Sequence, residues 1–101
     1  WLHIILVYAN MINMDNKNTK DIYRAFSNKN RVKLIVCLSK AKNVTDLLRL
    51  CDLSQSALSQ HLRVLKDEGI AICERDGKNQ IYSVKDAKAI KVAKLLLELD
   101  K

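Results

Sequence analysis

Between residues 21 and 68 the apolar positions repeat at helical spacing, and between 70 and 84 they alternate, so the chain changes period once before returning to a helix. Asp21 to Ser27 places Ile22, Ala25 and Phe26 on one helical face. Ser27 or Asn28 can cap a second helix whose apolar side is Val32, Ile35, Val36 and Leu38, with Arg31, Lys33 and Lys40 in solvent. Asn43 is a good cap for a third helix carrying Val44, Leu47, Leu48 and Cys51, and Asp46 falls in its first turn, where the helix dipole favours negative charge. A short turn, Asp52-Leu53-Ser54, leads to a fourth helix running to about Glu68, with Leu58, Leu62 and Leu65 as a single apolar stripe. Gly69 stops it, as a residue free to take positive φ does. Two short β-prone runs, Ile70–Ile72 and Ile81–Val84, flank Asp76-Gly77, a hairpin signal. Asp86 caps a last helix with Ile90, Ala93, Leu96 and Leu97 on one face and Lys88, Lys91 and Lys94 around it. The pattern predicts a mostly α chain with a small β-hairpin, in the order α-α-α-α-β-β-α.

A length of 101 residues suits one compact domain, assigned here to residues 19–101, with 1–18 as an N-terminal extension. Within that extension residues 13–20 are polar and Asn-rich, a linker or a helix start. Residues 1–12 (WLHIILVYANMI) are apolar but too short to span a bilayer, and they lack the basic start of a signal peptide. The chain does not begin with Met, and Met11 and Met14 lie just downstream. Residues 1–12 therefore read either as foreign to the native chain or as a helical extension that packs on a partner. The absence of Pro and the presence of only two Gly agree with a helical fold. Charge is one-sided, with 18 Lys+Arg against 11 Asp+Glu and a net charge of +7. Such a surface attracts polyanions, nucleic acid first, although solubility alone is a sufficient reason for basic charge. Three Cys is an odd count for a secreted disulfide scaffold and fits reduced thiols and a cytoplasmic location.

The informative stretch is Asn43 to Val84: a helix, a short turn, a second helix, then a hairpin. This is the order of a winged helix-turn-helix, in which the second helix enters the major groove of double-stranded DNA and the first braces it. The start of that second helix reads Ser54-Gln55-Ser56-Ala57-Leu58-Ser59-Gln60-His61. Ser54, Gln55, Ser56, Ser59, Gln60, His61 and Arg63 are the residues assigned to DNA there. Gln pairs bidentately with adenine, and Ser bonds either partner of a base pair. The hairpin tip supplies Arg75, Lys78, Asn79 and Gln80 as donors to phosphates or the minor groove. Two other readings fit the residues less well. A winged helix serving as a protein-interaction module would display aromatic or aliphatic anchors on the fourth helix, where Ser and Gln stand instead. An enzyme would need a nucleophile with its base, a carboxylate pair or a metal, and Ser59 and His61, two apart on a helix, point to different faces. No catalytic residue is assigned.

The segment LSQSALSQHLRVLKDEGI, followed by a hairpin ending in IYSV, resembles the ArsR/SmtB family of winged-helix repressors, and the upstream AFSNKNRVKLIVCL is similar to the family's second helix, with Arg31 after a short polar turn. The resemblance covers roughly Ile22 to Leu97 and is nearest to the HlyU-like branch. It implies a homodimeric repressor that binds a palindromic operator and leaves it on an inducing signal, whose identity the sequence does not give. It also implies dimerisation through the first and last helices, with Ile22, Phe26, Ile90, Ala93 and Leu97 facing the partner. The Cys-Val-Cys-Asp run of the family's metal sensors falls on Asn43-Val44-Thr45-Asp46, with both thiols replaced, and Asp86 stands alone where a second site would need His. No metal ligand set and no cofactor is assigned. Thiol sensors of the HlyU-like branch pair a Cys on the second helix with one on the last. Here Cys37 is the candidate, but nothing after Cys73 supplies that partner, leaving a pairing across the dimer, a pairing with Cys73, or three buried thiols without redox role.

Overall fold

The computed structural model describes residues 2–5 and 20–101. Residues 2–5 are helical; the rest of the 1–18 extension, and with it the boundary at 18/19, lies outside the described residues. The domain runs α1 (Ile22–Ala25), α2 (Lys29–Cys37), β1 (Lys42–Asn43), α3 (Val44–Leu50), α4 (Gln55–Asp67), β2 (Ala71–Asp76), β3 (Asn79–Val84) and α5 (Ala87–Leu99).

Each of α1 to α5 starts at a short polar side chain that accepts from an otherwise unpaired backbone N–H. Asp21 accepts from Arg24, Asn28 from Asn30 and Arg31, Asn43 from Asp46, Ser54 from Ala57, and Asp86 from Lys88. The end of α4 is closed as firmly. Gly69 takes φ +78°, its N–H reaches the Lys66 carbonyl at 3.1 Å, and the Ile70 N–H reaches the Leu65 carbonyl at 2.9 Å. This is a Schellman motif, and Ile70 and Leu65, the two positions whose apolar side chains accompany it, are both buried in the core.

The sheet has three antiparallel strands in the order β1-β3-β2, one more than the hairpin expected from the sequence. In β1, Lys42 pairs with Tyr82 and Asn43 with Ile81. Two residues are too few to show alternation, so this strand exists only because β3 offers it an edge. The hairpin itself pairs Ala71 with Val84 through Asp76 with Asn79. Its turn is therefore Gly77-Lys78 rather than Asp76-Gly77. Gly77 has φ +63° and no non-glycine among the described residues has positive φ, so Lys78 does not, which is the sign pattern of a type II′ turn.

The core joins Val32, Leu34, Ile35 and Leu38 of α2 and its cap to Leu47 of α3, the α4 stripe Leu58, Leu62 and Leu65, and Ala89 and Ala93 of α5. Burying each leucine of that stripe contributes about 1.5–3 kcal/mol. α5 lies along α2, and its buried residues are alanines, which let two helix backbones approach. Among the described residues Glu68 is the one buried polar side chain: its Oε1 accepts from the Asp21 N–H at 3.2 Å and its Oε2 meets Arg24 Nη1 at 3.6 Å, fastening the start of α1 to the end of α4.

Candidate nucleic-acid interface

The α4 helix divides cleanly. Leu58, Leu62 and Leu65 are at most 2% exposed, while Gln55, Ser56, Ser59, Gln60 and Arg63 all lie on the exposed side. The leucines fix the rotation of the helix, so the polar residues are held outward by packing rather than by chance. Arg63 has only a loose ion pair with Asp67, 3.9 Å away and in solvent, which leaves its guanidinium free to move.

Two residues assigned to DNA have prior engagements. The Ser54 hydroxyl accepts from the Ala57 N–H at 3.1 Å and is used as the helix cap. His61 is half-buried and turns from the groove side toward α2, where its Nδ1 lies 3.5 Å from Arg31 Nη1. Burial, and secondarily the Arg31 charge, lowers the His61 pKa, so the ring is neutral at pH 7 and Nδ1 is the acceptor.

Arg31, expected in solvent, is instead a half-buried junction. Its Nε donates to the Ala25 carbonyl at 3.3 Å, and Nη2 donates to the Arg24 carbonyl at 2.9 Å and to Ser27 Oγ at 3.2 Å. It satisfies the last carbonyls of α1 and touches α4 through His61. The sequence signal was the proximity of an Arg to a helix end, where unpaired carbonyls collect.

At the wing, Arg75, Lys78, Asn79 and Gln80 are all exposed. Gln80 Oε1 is 3.5 Å from the Tyr82 hydroxyl. An open cleft of about 410 Å³ runs between α4 and the sheet, lined by Ser59, Arg63 and Lys66 on one side and Gln80 and Tyr82 on the other. Residues assigned separately to helix and wing thus face one concavity. Lys66 was missed, although it follows Ser59 and Arg63 at the spacing of one helix face.

The residues expected to face a partner are arranged differently. Ile22 is 56% exposed, but Ala93 is fully buried, and Phe26, Ile90 and Leu97 are half-buried against the chain's own core. Ala93 has no surface to give a second chain. The outward side of α5 carries another apolar stripe, Val92, Leu95, Leu96 and Leu99, with Leu99 82% exposed, and Tyr23 of α1 is 87% exposed.

The three thiols are free, and the neighbour of Cys37 is Cys51, not Cys73: the two Sγ atoms are 3.9 Å apart. Among the described residues no three His, Cys, Asp or Glu side chains gather as a metal site, and no described helix is long and apolar enough to cross a membrane.

Residues 28–72, from the α2 cap through α4 into β2, match the model of the family described as bacterial regulatory protein, arsR family. The HTH-type transcriptional regulator YgaV of Escherichia coli (strain K12) is 37% identical over 68 residues, covering 64% of this chain and 68% of that protein. Among solved structures, HlyU of Vibrio cholerae superposes with a TM-score of 0.68 at 28% identity, covering 77% of this chain and 86% of that one. The transcriptional repressor PagR of Bacillus anthracis does so with a TM-score of 0.68 at 28% identity, covering 86% and 98%. A polar recognition face on a leucine-anchored helix, a hairpin beside it, and these relatives together place the chain: it belongs to the arsR family of bacterial regulatory proteins, DNA-binding transcriptional regulators.

Proposed function

We propose that this regulator is a cytoplasmic homodimeric repressor that reads a palindromic operator with α4 and grips the flanking backbone with its wing. The observation that carries the reading is the split of α4, with leucines locked inward and Gln55, Ser56, Ser59, Gln60 and Arg63 outward. Gln55, Ser59 and Gln60 bond base edges in the major groove, Arg63 suits guanine or phosphate, and Ala57 is small enough to let the helix approach. Arg75, Lys78 and Asn79 meet phosphates or the minor groove. His61 and Ser54 position the helix instead of touching bases. Two protomers joined through Val92, Leu95, Leu96 and Leu99 of α5, with Ile22 and Tyr23 of α1, present two such helices to half-sites about 34 Å apart. The repressor of Bacillus anthracis among the structural neighbours supports the sense of the regulation.

The test is binding to an operator selected from random DNA, followed by fluorescence anisotropy against cognate and scrambled duplexes. Gln60→Ala is expected to cost about 1–3 kcal/mol on the cognate site alone. Lys78→Ala should weaken both duplexes alike and reduce the salt slope by about 1. Equal losses on both duplexes for both variants would remove base reading by α4, and absence of any DNA binding at low salt would favour a protein-interaction module.

A further inference from the structure

The geometry points to a two-thiol site, formed by Cys37 and Cys51, that takes a soft monovalent cation such as Ag(I) or Cu(I). Cys37 is the last residue of α2 and Cys51 the cap that ends α3, fourteen residues later, so the site exists only in the folded chain. Their sulfurs are 3.9 Å apart with the Cys51 thiol directed at Cys37. Two sulfur–metal bonds of about 2.3 Å span at most ~4.6 Å when opposed. The pair therefore already stands within the span of one bound ion and needs only small side-chain rotations. A disulfide would need a contraction to about 2.05 Å, which is the larger movement.

The surroundings select the ion. Both cysteines are half-buried, open enough for entry, and pack against the apolar core. No His or carboxylate joins them as a third ligand among the described residues. Zinc and other ions that need three or four protein ligands are poorly served, whereas soft ions accept thiolate and low coordination. Binding is a ligand exchange without redox change: two thiols and one monovalent cation give a bis-thiolate complex of charge −1 and release two protons.

The site does not depend on the repressor reading, and its test does not involve DNA. Reduced full-length protein is titrated with silver nitrate in chloride-free buffer under argon. Native mass spectrometry counts bound ions, and alkylation followed by peptide mapping shows which thiols are protected. One ion per chain, with Cys37 and Cys51 protected and Cys73 alkylated, is the expected result. Cys73→Ser should retain the ion, while Cys37→Ser and Cys51→Ser should lose it, with circular dichroism confirming that the variants fold. The protection pattern in the unmodified protein needs no variant. Protection of Cys73, one ion shared by two chains, retention of the ion by either single variant, or failure to retain any ion would overturn the site.

Discussion

His61 shows how one contact reassigns a residue. On a helical wheel it sits near the reading face, and its type suits DNA, yet half-burial and Arg31 hold it against α2 as a neutral acceptor. Its folded pKa lies below the ordinary value near 6.5, so the unfolded chain takes up the proton first as pH falls. The stability it contributes is complete above about pH 6.5 and declines as pH drops toward the folded value. Urea denaturation across pH 5 to 7.5 should show this decline, and His61→Asn should flatten it; an unchanged slope in the variant would assign the dependence to other groups. Arg31 is the other half of the device. Replacing it removes the side-chain donors to the Arg24 and Ala25 carbonyls and loosens the end of α1, whose start stays fastened to α4 through Glu68.

At the scale of elements, α4 depends on both of its ends and on its stripe. Gly69 is required by its positive φ: Gly69→Ala forces an L side chain into the left-handed region, at a cost of about 1–2 kcal/mol. The added Cβ would also come within 2.8 Å of the Lys20 side chain, which is flexible and can yield. Leu62→Ala should cost about 2–5 kcal/mol through lost burial and the cavity left behind. Both changes are read as shifts of the denaturation midpoint with unchanged m-value. Binding of cognate DNA by the folded fraction should survive Gly69→Ala, because the helix end is remote from Gln55 and Ser59 in sequence. The α5 helix teaches the opposite lesson. It is apolar on two sides, Ala89 and Ala93 inward and Val92, Leu95, Leu96 and Leu99 outward, and its spacing alone does not say which side belongs to the protomer.

For the whole molecule, that outward stripe is the prediction. An apolar row on a 13-residue helix, adjoined in composition by exposed Ile22 and Tyr23 on α1, is more than scattered surface leucine. Leu95→Asp with Leu99→Asp should convert the proposed dimer to monomer in sedimentation while leaving the helical circular dichroism unchanged, since both side chains are exposed in the single chain. Loss of dimer should also lower DNA affinity, because two linked half-site contacts become one. A protein that sediments as a monomer before any substitution would contradict the dimer. The helix-turn-helix core was legible for a plain reason: caps, leucine stripe, terminal glycine and hairpin turn are local signals, each read within a few residues. What was not legible involved contacts between separate elements, namely β1 on β3, Arg31 on His61, and Cys37 beside Cys51.

The sequence by itself determined the identity and order of the helices, the presence of the wing, and the polar face of α4, because these follow from periodicity and capping along a short stretch of chain. Tertiary structure decided which side of α5 turns inward, which polar residues of α4 are already engaged, and which two of three thiols meet. Those outcomes depend on how separate elements dock, and docking is settled by the packing of the whole core, which no local window of residues contains.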